Sequence, residues 1–290
     1  MKLASYSYEG LDRVGVVRDT GIIDVGELAP NAPTSMRKLL QWLVEEPNRG
    51  ALESRIARHA AGAEVPFANV EFLPVVSAPH AVWCAALTYL SHVREGGARQ
   101  VPDYPLFFLR VANSQVGHAG YLLLPKVSGE LDYEGELAVV IGKAGSRIPE
   151  HLALEHVAGY SCYNDGSIRD WQRHTPQITV GKNFTATGAF GPWLVTPDEF
   201  GDPYAHELVT RVNGEVRQST SISALLFRIE YMIHYLSTIC RLEVGDVLVT
   251  GTPGGVGLRR DPPVFLAEGD IVEVEIDGIG TLRNTVVPES

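Results

Sequence analysis

The chain has 290 residues, 45% hydrophobic and 20% charged, a balance that excludes wholesale disorder and allows one large domain or a small domain beside a larger one. Its 24 Lys and Arg against 35 Asp and Glu give a net charge of −11, which repels phosphate backbones and argues against nucleic acid as a partner. An anionic substrate must therefore be drawn in by a few local cations against the field of the whole chain.

Met1 to Tyr6 lack the continuous apolar core of a signal peptide. Residues 1–72 read as a small N-terminal unit, suited to folding or dimer contact rather than catalysis. Leu3-Ala4-Ser5-Tyr6 and Gly15-Val16-Val17 predict strands, with turn chemistry at Asp19, Gly21 and Asp24. Thr34 or Ser35 is placed to cap a helix with the stripe Met36, Leu39, Leu40 and Leu43, and a second helix is expected over residues 52–60. Residues 72–91 carry no Asp, Glu, Lys or Arg, but Pro74, Pro79 and His80 interrupt them. A strand-rich core explains that stretch better than a membrane span.

From residue 73 onward the pattern is short strands, turns and a few helices. Residues 137–141 are a buried strand ending at Gly142, and a helix-like stretch over 152–160 precedes Asn164-Asp165. Residues 208–218 predict a hairpin, because Asn213-Gly214 suits a tight type I′ turn. Leu226, Ile229, Ile233, Leu236 and Cys240 space one face of an amphipathic helix. Strands follow at 247–249 and 271–276, and Asp277-Gly278 turns into residues 280–282. The class is a β-rich α+β protein with its catalytic part in residues 73–290. Cys84, Cys162 and Cys240 lie far apart and form no CxxC pair, which points to a reducing, cytoplasmic setting.

The most telling local sequence is Leu131-Asp132-Tyr133-Glu134-Gly135-Glu136-Leu137. Side chains two apart on a strand share a face, so Glu134 and Glu136 point the same way and repel unless a cation or proton relieves them. Asp165 offers a third carboxylate. Three such oxygen donors with open positions suit Mg²⁺ or Mn²⁺, though the spacing alone also fits a solvated strand end beside an ordinary turn aspartate.

The block from Asp132 through Gly142 resembles the signature of the fumarylacetoacetate hydrolase family. So do Gly159-Tyr160 with Asn164-Asp165, Ser167, Arg169-Asp170 and Gln172, then Gly181-Lys182-Asn183-Phe184 and Gly191-Pro192-Trp193. The likeness ends in Leu242 through Pro253 and Gly278 through Asn284. These blocks are collinear and cover most of residues 80–286. The resemblance implies a mixed β-roll catalytic domain at 73–290 behind the small N-terminal domain at 1–72, a homodimer, and Mg²⁺ or Mn²⁺ held by Glu134, Glu136 and Asp165. It also implies a small anionic 2-oxo acid substrate and a place in aromatic catabolism.

Other groups are read beside that likeness. Lys182, on composition alone a surface charge, is implied to face the substrate and stabilise a developing enolate. Arg169 and Gln172, three apart, share a face if they lie on a helical turn, the first offering a fork to a carboxylate. Thr252 sits in the loop Thr250-Gly251-Thr252-Pro253-Gly254-Gly255, which lacks the Gly-Lys-Ser/Thr ending of a phosphate loop. Nucleotide binding is therefore rejected, and the resemblance makes Thr252 and Tyr89 substrate contacts. His92 and Glu95, at i, i+3, can touch on a helical turn. By itself that pair fits a solvated helix; the resemblance implies a water-activating dyad on a lid that includes Gly96-Gly97 and the polar stretch to Pro102. Two departures stand out: Thr88-Tyr89 where the family often has Asn-Tyr, and Phe108-Leu109-Arg110 where it often has Phe-x-Lys. Arg for Lys changes hydrogen-bond geometry and bears on which end of the substrate is gripped. His118 and His174 are further pocket candidates, for which a structural role is the simpler reading.

The function this implies is hydrolysis of a carbon–carbon bond in a 1,3-dicarbonyl acid such as an acylpyruvate or fumarylpyruvate. Two substrate oxygens would chelate the ion, and the leaving group would depart as an enolate. One alternative is a decarboxylase or isomerase on the same metal site. Another is a metal-bearing binding or biosynthetic protein without hydrolytic turnover, against which His92, Glu95 and Lys182 weigh.

Overall fold

The computed structural model describes residues 1–59, 64–97 and 100–290. A run of residues buried on both faces forms its centre: Gly135–Ile141 is buried throughout. Leu137, Val139 and Ile141 face one core, while Ala138 and Val140 face another, as the two-residue period of a strand requires. This strand pairs antiparallel with Val157–Asn164 on one side and Val247–Val249 on the other. Beyond Val247–Val249 the sheet continues through Val82–Ala86 to an edge at Leu106–Arg110.

In the other direction, Val157–Asn164 pairs with Gly188–Val195, which pairs with Lys2–Tyr8. The sheet thus runs across residue 72: Lys2 lies opposite Val195 and Leu3 opposite Leu194. Helix Met36–Leu43 packs Met36, Leu39 and Leu40 into the same core as Ala138, Val140 and Val247. A five-stranded sheet covers the opposite face, its strands ordered Glu215–Ser221, Glu207–Val212, Ile271–Ile276, Gly280–Pro288 and Tyr121–Leu124. Helix Ile229–Ile239 joins that second core through Ile229, Met232, Ile233 and Leu236. The molecule is therefore strand-rich α+β.

The Asn213-Gly214 hairpin forms as expected, with φ of 53° and 78° at the two turn residues. Elsewhere the local pattern yields to pairing. Residues 152–160, helix-like in sequence, divide between a 3₁₀ segment Glu150–His156 and the strand Val157–Asn164. There, ladder bonds on both edges outweigh helical periodicity. Gly21–Asp24, read as turn chemistry, is a buried strand, and Asp24 caps the following turn by accepting from the Gly26 amide at 2.6 Å. Ser35 holds the N-cap position of Met36–Leu43 without a side-chain bond. The expected second helix is Glu46–Arg58; residue 60, its expected end, lies outside the described residues. Leu226 and Cys240 flank the helix Ile229–Ile239 rather than extend it. No helix among the described residues is long and apolar enough to cross a membrane.

Candidate metal centre

Backbone pairing brings the three carboxylates together. Gly135 lies opposite Asn164 at the end of the central ladder. Just beyond it, the Asp165 amide donates to the Glu134 carbonyl at 2.8 Å, and the Glu134 amide donates to Asn164 Oδ1 at 3.0 Å. One oxygen from each of Glu134, Glu136 and Asp165 lies within 4.8 Å of the others, and all three residues are buried. Glu136 Oε2 accepts from the Gly251 amide at 2.5 Å. Gly251 sits at φ +95°, and a Cβ there would stand 2.0 Å from Thr88 Oγ1, so only glycine presents this amide to Glu136. Thr88, the first departure, is wholly buried and donates to the Thr250 carbonyl at 2.7 Å.

Three buried cations face four buried carboxylates. Lys182 Nζ lies 2.6 Å from both Glu134 Oε2 and Asp165 Oδ2, and 5.1 Å from the centre of the Phe108 ring. Arg169 pairs with Asp132 at 2.8 Å and Glu134 at 2.6 Å. Arg110 Nη1 pairs with Asp165 Oδ1 at 2.5 Å. Burial alone would push the Glu134 carboxyl up, but Lys182 and then Arg169 hold it well below the usual range. Glu136 lacks such a partner: burial, then the charges of Asp165 and Glu134, push its carboxyl well above the usual range. For Lys182, burial opposes the charge and the Asp165 and Glu134 carboxylates outweigh it, so the ammonium is retained. A cluster of hard oxygen donors one positive charge short of neutrality fits a divalent cation.

These groups open into a cavity of about 310 Å³ lined by Glu134, Glu136, Lys182, Arg169, Gln172 and His92, at the lower end of small-molecule sites. His92, on the short helix Leu90–Glu95, places Nδ1 2.7 Å from Glu95 Oε1. Glu95 Oε2 accepts from the Gly255 amide at 2.7 Å, so the pair is fastened to the glycine loop. The expected lid beyond Gly97 includes residues 98–99, which lie outside the described residues. Arg169 Nη1 donates to Gln172 Oε1 at 3.0 Å, while its buried Nη2 has no partner among the described residues. Thr252 lines the cavity, with its hydroxyl donating to the Gly135 carbonyl and accepting from Gln218 Nε2.

Four residues weighed for the cavity lie away from it. Tyr89 is 1% exposed and packs in the core, and it does not line the cavity. His118 stands edge-on to Phe72 beside a different groove, and His174 lies tilted against Trp171, ring centres 4.8 Å apart. Arg110, considered above for gripping substrate, is buried behind Asp165. There it also donates to the Gly166 carbonyl, Ser114 Oγ and Thr187 Oγ1. Asp132 is a functional residue to which sequence reasoning gave no role. It anchors Arg169 and accepts from the Gly257 and Leu258 amides at 2.8 and 2.9 Å. The available signal was a carboxylate two residues before Glu134, at the same spacing that separates Glu134 from Glu136.

A buried carboxylate triad under a cavity with buried cations and a His–Glu pair is the equipment of a metal-assisted enzyme. Residues 81–287 match the fumarylacetoacetate (FAA) hydrolase C-terminal family, and the chain belongs to that family, whose members are enzymes. The chain is 39% identical to the mitochondrial oxaloacetate tautomerase Fahd2a of Rattus norvegicus over 271 residues, 92% of this chain and 84% of that protein. Among solved structures it is similar to the fumarylacetoacetate hydrolase of psychrophilic Exiguobacterium antarcticum, with TM-score 0.83 and 33% identity over the whole of both chains. It is also similar to maleylpyruvate hydrolase from Sphingobium sp. SYK-6 in complex with manganese(II) and pyruvate, with TM-score 0.82 and 29% identity, again over the whole of both chains.

Proposed function

We propose that the chain hydrolyses a carbon–carbon bond in a 1,3-dicarbonyl acid of the acylpyruvate type, with Mg²⁺ or Mn²⁺ held by Glu134, Glu136 and Asp165. The observation that carries this reading is convergence: Glu134, Glu136, Lys182, Arg169 and His92 line one cavity, with Asp165 bonded to Lys182 and Glu95 bonded to His92 just behind them. When bound, the ion supplies Lewis-acid polarisation of the substrate carbonyl. Lys182 spends two N–H donors on Glu134 and Asp165, leaving a third for a developing enolate oxygen. Arg169, anchored on Asp132 and Glu134, has Nη2 free for the substrate carboxylate. Gln172 fixes the Arg169 fork from the other side, and Thr252 shapes the cavity floor.

His92 uses Nδ1 on Glu95, so Nε2 is the position that accepts a proton from attacking water. The water oxygen bonds to the distal carbonyl carbon, the carbon–carbon bond breaks, and its electron pair passes to the pyruvate part. The proton held by His92 then passes to the pyruvate carbon that the cleavage has released, so water's OH ends on the acyl product and its H on pyruvate. Three free thiols, two of them buried, support a reducing compartment such as the cytoplasm.

A second reading, keto–enol tautomerisation of oxaloacetate, is supported by the identity with the rat tautomerase over most of this chain. It uses the same base and cations without an attacking water. Turnover in ¹⁸O-labelled water separates the two. Hydrolysis puts label in the newly formed carboxylate, and His92→Ala slows it by about 10²–10⁴-fold. Rapid oxaloacetate tautomerisation without cleavage of acylpyruvates would replace the first reading by the second.

A further inference from the structure

Four side chains lining the cavity are cationic at neutral pH: Lys182, Arg169, Arg173 and Arg259. Lys182 and Arg169 are committed to the buried carboxylates. Arg173 pairs with Glu130 at 2.8 Å. The Arg259 amide donates to the Val256 carbonyl at 3.2 Å, but its guanidinium has no hydrogen bond or ion pair among the described residues. In a chain of net charge −11, an arginine left without a carboxylate at the wall of an active-site cavity is an open place for an anion.

The backbone under Arg259 is built rather than loose. It ends the 3₁₀ turn Gly257–Arg259, whose first two amides are held by the Asp132 carboxylate at 2.8 and 2.9 Å. The same carboxylate holds Arg169 Nε, so one buried residue sets the positions of both arginines. A Cβ on Gly96 would stand 3.9 Å from Arg259 Nη2, which puts this guanidinium against the end of the helix carrying His92 and Glu95. Leu106, Ile178, Val256 and Leu258 supply apolar wall to the same cavity. They suit a short hydrocarbon segment between two charged ends.

We infer that Arg259 binds a second, distal carboxylate of the substrate, so that the chain prefers 2-oxo diacids over 2-oxo acids with a neutral tail. This rests on the 2-oxo acid reading above and adds the specificity-determining residue. One end of the ligand is taken by the triad, Lys182 and Arg169; the other is taken by Arg259 beside the end of helix Leu90–Glu95. Drawing the distal charge toward Arg259 aligns the chain of the substrate along the wall that carries His92.

The test is binding to the manganese-loaded protein by isothermal titration, with two ligands that share the 2-oxo acid end: 2-oxoglutarate, and 2-oxopentanoate with its neutral tail. The diacid is expected to bind about threefold more tightly, the worth of one charge pair at an exposed side chain. Arg259→Gln should bring the two affinities together by weakening the diacid alone, and Arg259→Lys should keep part of the preference. Arg173→Gln should leave the preference in place, because Arg173 already has Glu130. Equal affinities in the unaltered protein, or a preference that survives Arg259→Gln, would overturn the role of Arg259 while leaving the 2-oxo acid reading intact. Absence of manganese-dependent binding by either acid would overturn both.

Discussion

Lys182→Met tests the electrostatic account of the centre most directly. Methionine keeps the length and apolar stem of the side chain, so packing against Phe108 is largely preserved, while the ammonium between Glu134 and Asp165 is lost. Both carboxylates are buried, and removing one partner from a buried ion pair costs about 3–5 kcal/mol. For a chain of this size, about 2 °C per kcal/mol converts that to a fall of ~6–10 °C in the melting temperature of the metal-free protein. Mn²⁺ should repair more of this deficit than it adds to the unaltered protein, because it supplies counter-charge to carboxylates that Lys182 already serves there. Scanning calorimetry of both proteins with chelator and with saturating Mn²⁺ gives the four temperatures required. Unchanged metal-free stability, or a Mn²⁺-induced rise no larger in the variant than in the parent, would refute the reasoning. Catalysis should be lost in the variant even when the metal site is full, since no other cation replaces the third N–H of Lys182.

The Glu136 carboxyl is raised above its ordinary value of 4.5 by burial and then by Asp165 and Glu134. In the metal-free protein its contribution to stability is therefore lost as pH rises from 4.5 through the folded-state value. Metal binding should release a proton in that window, measured by titration in two buffers of different ionisation enthalpy, and Glu136→Gln should remove both the release and the metal-induced rise in melting temperature. Arg110→Lys keeps a charge beside Asp165 but forfeits bonds to Ser114, Gly166 and Thr187. Urea unfolding should show a loss of about 2–3 kcal/mol, with Mn²⁺ affinity changed only a few-fold. The edge strand Leu106–Arg110 exposes Leu106 at 45% and Leu109 at 43%, followed by Val111 at 51%, an apolar edge of the kind that chains cover by pairing. Light scattering should give twice the mass of one chain, and Leu109→Glu should shift it toward the single chain.

The parts of the fold that were legible in sequence are those fixed by local chemistry. Asn213-Gly214 demands its turn whatever surrounds it, and the apolar run after Gly135 has no other fate than a strand buried on both faces. Residues 152–160 were misread because their periodicity is weak and the ladders on both edges of Val157–Asn164 come from segments far along the chain. The continuity of the sheet from Lys2–Tyr8 into Gly188–Val195 was equally hidden. Nothing local to residue 2 announces a partner at residue 195.

The site divides along the same line. Glu134, Glu136 and Asp165 were legible as a unit because Glu134 directly precedes the strand that carries Glu136 and Asp165 directly follows the strand paired with it, so a short ladder closes the set. His92 and Glu95 are neighbours on one helical turn, and their contact follows from spacing alone. The supporting charges obey no such rule. Arg110 reaches Asp165 across 55 positions, Asp132 reaches Arg169 across 37, and Gly251 reaches Glu136 across 115. Each of these contacts crosses between elements that only the sheet order places side by side. That order also decides what a charge is for. Arginine at 110 looked like a hand for the substrate because it stands where the resembling family often has the lysine of Phe-x-Lys. The strand turns its side chain to the far side of Asp165, where a planar fork with several fixed donors can hold a carboxylate, a carbonyl and two hydroxyls at once. A lysine there has one nitrogen to share among the same acceptors. Arginine at 110 therefore acts on the rigidity of Asp165. Choice among substrates passes to residues that face open space, Arg259 first among them.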